Sequence, residues 1–191
     1  MTTSRKVTIA MAAVAVTGLT LMLFGSKTLQ VGQRAPEFDT QTHSGQRVRL
    51  SDYRGRQAVV VFFYPKDGTA VCTREACAFR DAYEDFAAAG AVVIGISGDT
   101  VESHQQFVGT HQLPFLLIAD TDGSLRQQFG VRPLLGLVPG RVTFVIDRDG
   151  IIQHTFSGMH QSDRHVQEAL AVVRLLATEH PPGSTGPADP H

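Results

Sequence analysis

The sequence predicts an α/β fold, a mixed central sheet with helices on both faces, on the strength of three observations. First, "QAVVVFFYP", "AVVIGIS" and "FLLIAD" are short apolar runs rich in Val, Ile and Phe, the pattern of strands buried on both faces. Second, the stretches between them carry apolar residues at helical spacing rather than in alternation. Third, strand and helix signals alternate along the chain, an order that lays crossover helices against a sheet. The 191 residues, 42% of them hydrophobic, suffice for one ordinary domain with appendages.

The amino-terminal end stands apart. Arg5 and Lys6 precede an apolar run from Val7 to Phe24 that holds no charge. Those 18 residues, as a helix, would span roughly 27 Å, close to a hydrocarbon core. A cleavable signal peptide has a shorter apolar stretch and a small-x-small site at its end, whereas this run closes on Leu-Phe-Gly-Ser. Residues 1–30 are therefore expected to form a membrane anchor in preference to a signal segment. The basic pair ahead of the run places the domain on the extracytoplasmic (periplasmic) side, a bias that Lys27 and Arg34 weaken.

The body is expected over residues 31–179. "EFDTQTHSGQRVRLSDYRG" reads as a small hairpin turning at Ser-Gly. After the strand "QAVVVFFY", stopped by Pro65, a helix from Cys72 to Ala89 carries Ala76, Phe79, Tyr83 and Phe86 on one stripe and ends at Gly90. The strand "AVVIGIS", a helix from Val101 to His111, the strand "FLLIAD" and a short helix from Ser124 to Phe129 follow. "RVTFVID" and "IIQHTFS" flank the turn "RDG" as a hairpin, and a last amphipathic helix runs from Asp163 to Ala177. This order is similar to a thioredoxin-like fold with an N-terminal β-hairpin extension. Residues 180–191, rich in Pro, Gly and small polar groups, are expected to be a disordered tail.

Charge and composition exclude several classes of function. A formal net charge of −1 with scattered basic residues gives no nucleic-acid surface. Two cysteines are too few for a small disulfide scaffold. None of the eight histidines lies in a metal-binding spacing, and His43, His104, His111 and His165 fall where solvent exposure is expected. No metal or cofactor is therefore expected.

The two cysteines, Cys72 and Cys77, stand five positions apart in "TAVCTREAC". Cys72 follows a buried strand through a loop and opens a helix, where free N–H groups and the helix dipole favour negative charge on sulfur. Thr69 either aims its hydroxyl at that sulfur or caps the helix. Five helical residues rise about 7.5 Å and turn through about 140°, so the two sulfurs point to different faces. A disulfide needs Cα atoms within about 7 Å, so this pair closes only if the start of the helix unwinds. Such a pair suits a two-stage reaction in which one sulfur becomes a sulfenic acid and the other condenses with it.

"YPKDGTAVCTREAC" resembles the peroxiredoxin active-site pattern Pro-x-x-x-Thr-x-x-Cys at Pro65, Thr69 and Cys72. The second cysteine five residues on resembles the peroxiredoxin Q, or bacterioferritin-comigratory protein, subfamily of the AhpC/TSA family. "VGQRAPEF", "GISGDTVESHQQF" and "PGRVTFVIDRDG" extend the likeness over nearly the whole body, in order. The resemblance implies an atypical 2-Cys thiol peroxidase that reduces hydrogen peroxide and organic hydroperoxides. In it Cys72 would be the peroxidatic cysteine and Cys77 the resolving one, joined in an intramolecular disulfide that thioredoxin or a thioredoxin-like donor reduces. Thr69 would hydrogen-bond at peroxide and sulfur, Pro65 would shield the pocket, and Arg141 would hold the thiolate and polarise the O–O bond. Glu75 would orient Arg141, although it also reads as a carboxylate in a helix's first turn. From the residues alone, Arg141 reads as a surface arginine that begins a strand.

The same resemblance implies a monomer without metal or flavin. Three other readings remain: a membrane-anchored thiol-disulfide oxidoreductase, a copper chaperone and a non-catalytic binding domain. The first wants Cys-x-x-Cys, which is absent. The second wants Cys-x-x-x-Cys with a later histidine, a place open to His154 or His160.

Overall fold

The structure is a computed structural model, and it describes residues 28–133 and 140–179. The apolar run Val7–Phe24 and the tail from residue 180 lie outside the described residues. Thr28 and Leu29 already join the body, through Thr28 Oγ1 to the Gly130 carbonyl at 2.8 Å and Leu29 N to the Phe129 carbonyl at 3.3 Å.

A two-stranded hairpin, β1 (Asp39–Gln41) and β2 (Arg47–Arg49), comes first, followed by a 3₁₀ turn at Leu50–Tyr53. The main sheet contains β3 (Ala58–Phe63), β4 (Ala91–Ser97), β5 (Leu116–Ala119), β6 (Val142–Ile146) and β7 (Ile152–Ser157). Their spatial order is β5-β4-β3-β6-β7. β3, β4 and β5 run parallel, while β6 and β7 are antiparallel to their neighbours. The expected order of elements and the carboxyl-terminal hairpin are both present.

The unbroken apolar strands follow from burial on both faces. Along β3, Val60 and Phe62 enter one core with residues of α1 (Ala70–Asp81), α2 (Tyr83–Ala88), α3 (Val101–His111) and α5 (Ser162–Glu179). Val59, Val61 and Phe63 point the other way, into a second core closed by the hairpin and α4 (Ser124–Gln128). Alternation therefore sorts β3 between two cores instead of between core and water. Gly95 of β4 is required by close approach: a Cβ there would lie 2.6 Å from Leu117 Cδ2 and 2.7 Å from Phe62 Cζ.

Two expectations are corrected here. The helix expected from Cys72 to Ala89 is two helices, α1 and α2, divided at Ala82. Since α1 starts at Ala70, Glu75 lies in its second turn and not in the first, so it does not serve as a first-turn carboxylate. His104 and His165, expected at exposed positions, are both fully buried.

Candidate active site

β3 ends at Phe63, and the chain passes through a loop to α1, whose third residue is Cys72. Cys72 therefore stands in the first turn, where the free N–H groups mark the positive end of the helix dipole. Cys72 is only 2% exposed. Arg141 enters from the residue before β6, which the antiparallel pairing of β6 with β3 sets opposite the start of α1.

Arg141 is buried, not a surface strand residue. Its Nη2 donates to Cys72 Sγ at 3.0 Å and its Nη1 to Glu75 Oε2 in an ion pair. Its Nε donates to the Met159 carbonyl at 3.2 Å. The three nitrogens thus fix the fork, and a fixed cation beside sulfur stabilises negative charge there.

Thr69 and Pro65 line the loop beside this cluster. Thr69 takes the N-cap position with extended backbone, but its hydroxyl donates to the Lys66 carbonyl at 3.1 Å and caps nothing. Pro65 is half-buried at the start of the loop. Cys77 lies further along α1 and is half-buried, and both cysteines are free thiols. The structure thus brings Cys72, Glu75 and Arg141 together, keeps Thr69 and Pro65 on the adjoining loop, and leaves Cys77 apart.

Behind Glu75 stand His165, expected at an exposed position, and Thr143, which carried no expectation. His165 of α5 donates from Nε2 to the Gly158 carbonyl at 2.8 Å, so its Nδ1 accepts from the Thr143 hydroxyl at 2.8 Å. Burial, above all, pushes the His165 pKa down to about 4, and the Arg141 charge acts the same way. The ring is therefore neutral at pH 7, and its approach to Glu75 Oε1 at 3.6 Å is not an ion pair. Glu75 is fully buried, and its Oε1 has no hydrogen-bond partner.

A second polar cluster holds the loop from the other side. Asp67 accepts from the Tyr64 hydroxyl at 2.7 Å, from Ser103 Oγ at 2.8 Å and from His104 Nδ1 at 2.8 Å. Its backbone N–H donates to Asp99 Oδ2 at 2.8 Å. His104 Nε2 faces the Ile118 carbonyl at 3.2 Å, so the two ring nitrogens lie between the Asp67 carboxylate and a backbone carbonyl of β5. Burial alone would raise the Asp67 carboxyl, but the bonds from His104, Tyr64 and Ser103 outweigh it and hold the pKa below the ordinary carboxylate value.

Of these supporting residues, the two histidines had a signal in the sequence. His104 stands three residues before Phe107, and His165 stands beside Val166 and four before Ala169, all of them buried. Helical spacing placed both at the edge of an apolar stripe. Asp67 and Thr143 gave no such signal.

Residues 31–155 match the AhpC/TSA family. The chain belongs to that family, as a peroxiredoxin of the Q type. It is 44% identical over 146 residues to the chloroplastic peroxiredoxin Q of Oryza sativa subsp. japonica, covering 76% of this chain and 67% of the rice protein. Peroxidoxin BcpB of Mycobacterium tuberculosis superposes with a TM-score of 0.71 at 37% identity, over 77% of this chain and 97% of that one. The bacterioferritin comigratory protein of Xanthomonas campestris, described for its alkyl peroxide reduction activity, gives a TM-score of 0.67 at 27% identity over 73% and 92% of the two chains. This peroxiredoxin is a thiol-dependent peroxidase, an oxidoreductase whose substrate is a peroxide and whose reductant is of the thioredoxin type. The alternatives of a membrane-anchored thiol-disulfide oxidoreductase and a copper chaperone are not favoured.

The expectation of a membrane-anchored, extracytoplasmic domain is corrected. Relatives from rice and Sedum are named as chloroplastic proteins, and among the described residues no helix is long and apolar enough to cross a membrane. That expectation rested on the apolar run Val7–Phe24, the basic pair Arg5 and Lys6 ahead of it and the absence of a small-x-small site at its end, all of which lie outside the described residues. Among the described residues no group of three or more His, Cys, Asp or Glu side chains could hold a metal ion.

Proposed function

We propose that Cys72 is the peroxidatic sulfur of this enzyme and Cys77 the resolving one. The observation that carries this reading is the Arg141 guanidinium, 3.0 Å from a sulfur buried in the first turn of α1. The Cys72 thiolate attacks one peroxide oxygen, the O–O bond breaks, and the other oxygen leaves as hydroxide or alkoxide and takes a proton. Charge grows along the S···O···O line, and Arg141 with the helix N–H groups meets it. Thr69 supplies a hydroxyl at the entrance, Pro65 limits the access of water, and Glu75 holds the guanidinium in place.

Cys72 is then a sulfenic acid. Cys77 attacks its sulfur, water leaves, and a disulfide forms within one chain; a thioredoxin-like dithiol reduces it by exchange. On an intact α1 the two sulfurs cannot meet, so the helix unwinds from about Val71 to Phe79 in each cycle. The alkyl peroxide activity of the Xanthomonas protein supports organic hydroperoxides as substrates beside hydrogen peroxide. An intramolecular disulfide needs no partner copy, so the enzyme works as a monomer.

Cys72→Ser tests the reading. Serine does not ionise usefully near neutral pH, so peroxide consumption with a thiol donor should disappear. Turnover above about a tenth of the parent's would overturn the assignment, since the other thiol, Cys77, lies apart from the Arg141 guanidinium that meets Cys72. Mass spectrometry after one equivalent of peroxide should also find the first added oxygen on the Cys72 peptide when Cys77 is replaced by serine.

A further inference from the structure

Arg126 of α4 touches none of the reacting groups, yet its guanidinium reaches the backbone at both places from which the site is built. Nη2 donates to the Tyr64 carbonyl at 3.0 Å and Nη1 to the Gly140 carbonyl at 2.9 Å. Tyr64 immediately precedes Pro65, and Gly140 immediately precedes Arg141. One rigid fork therefore spans the loop that leads to Cys72 and the segment that delivers the cation to it.

Both ends of this brace are held in packed surroundings. Asp120, buried at the end of β5, accepts from the backbone N–H of Leu125 at 2.8 Å and of Arg126 at 2.9 Å, which roots the first turn of α4. The guanidinium carbon lies 5.7 Å from the centre of the Phe63 ring, at the end of β3. At the far end Gly140 is packed closely, with no room for a side chain, since a Cβ there would stand 2.3 Å from the Arg132 carbonyl oxygen. The planar fork suits this task better than a lysine would, since a single ammonium has no fixed geometry for two acceptors.

We propose that Arg126 is a positioning residue for peroxide reduction, setting the distance between Arg141 and Cys72 through the Tyr64 and Gly140 carbonyls. This rests on the reading of Cys72 and Arg141 given above. The brace acts on the folded site, so it governs the attack of Cys72 on peroxide. It does not govern the later closure of Cys72 on Cys77, for which α1 has already unwound.

The experiment separates those two steps by rapid mixing of the full chain with hydrogen peroxide, acid quench, thiol alkylation and mass spectrometry. The parent's own oxidation at Cys72 tests the reading; the ratio of variant to parent tests the role of Arg126. In Arg126→Ala, oxidation of Cys72 should slow by about ten- to a hundredfold, the scale of a misplacement of about an ångström, while disulfide formation stays within about twofold. Added guanidinium ion should restore part of the oxidation rate of Arg126→Ala and none of that of Arg126→Met, whose side chain fills the space. Arg126→Lys, which keeps the charge and serves one carbonyl at a time, should fall between and keeps the test readable where the alanine variant does not fold. Oxidation within about twofold of the parent in the alanine and methionine variants overturns the proposal, given the size of effect that misplacement carries. Equal slowing of both steps without guanidinium rescue also overturns it, because that is the result of a generally loosened fold.

Discussion

Two buried polar clusters flank the entry to α1, and they are satisfied to different degrees. The Asp67–His104 cluster accounts for its polar atoms: a carboxylate with three donors, a ring with two acceptors and a backbone N–H paired with Asp99. The Arg141–Glu75–His165 cluster, against the sulfur, leaves Glu75 Oε1 with no partner. An unsatisfied buried oxygen costs on the order of 1–3 kcal/mol, and more when it carries charge. On the proposed cycle that cost would be recovered as α1 unwinds and Glu75 meets water. The difference teaches which part is suited to hold and which to move: the loop is pinned by a complete network, while the helix that the proposed cycle opens carries an unsatisfied oxygen.

The largest effect that would sharpen this contrast lies in Arg141. Arg141→Met should reduce the rate constant for peroxide by about a hundredfold or more, the scale of losing one preorganised donor at developing charge. Circular dichroism should show the fold retained. Asp67→Asn should do the reverse, lowering stability in urea by about 3 kcal/mol as a buried pair loses one partner, with a smaller loss in rate. If Asp67→Asn slows peroxide reduction as much as Arg141→Met, the division between holding and reacting clusters fails.

The next effect is one of pH. His165 takes its proton near 6.5 when unfolded and only at about 4 when folded, so between those values the unfolded chain binds the extra proton. Stability is full above 6.5 and falls as pH drops towards 4, by about 3 kcal/mol from this group. Asp67, with a depressed carboxyl pKa, adds a loss of the same sign at lower pH, below the ordinary carboxylate value. Urea titrations at pH 7 and pH 4.5 should show the difference in the parent, and His165→Gln should lack most of it. An unchanged slope in His165→Gln would place the acid sensitivity elsewhere. Thr143→Val, which removes one hydroxyl from His165 Nδ1, should cost about 1 kcal/mol and serves as the small-effect control.

The sequence made the architecture legible because each strand of the core is an apolar run whose neighbours fall at helical spacing. The site was legible in part. Cys72, Thr69 and Pro65 lie on one contiguous motif, whereas Arg141 is 69 residues from Cys72 and meets it only through the antiparallel pairing of β6 with β3. Periodicity cannot distinguish a buried arginine at a strand's start from an exposed one; the resemblance to a family could. The orphaned oxygen of Glu75 and the brace from Arg126 depend on distances between side chains from separate elements, which no local pattern carries. His104 and His165 were misplaced because histidine is commonly exposed, and that prior outweighed the apolar stripes beside them.

In the proposed cycle α1 opens while the loop network stays closed, and amide exchange followed by mass spectrometry measures both at once. Phe79 is fully buried in the folded form and stacked on Phe62 at 4.4 Å, so opening that reaches it leaves a clear mark. After one equivalent of peroxide, residues 71–79 should exchange faster than in the reduced protein, while β3 and the start of α3 around His104 keep their protection. The product should migrate as a monomer on non-reducing electrophoresis. Unchanged protection across 71–79, with a disulfide-linked dimer as the main product, would contradict the account.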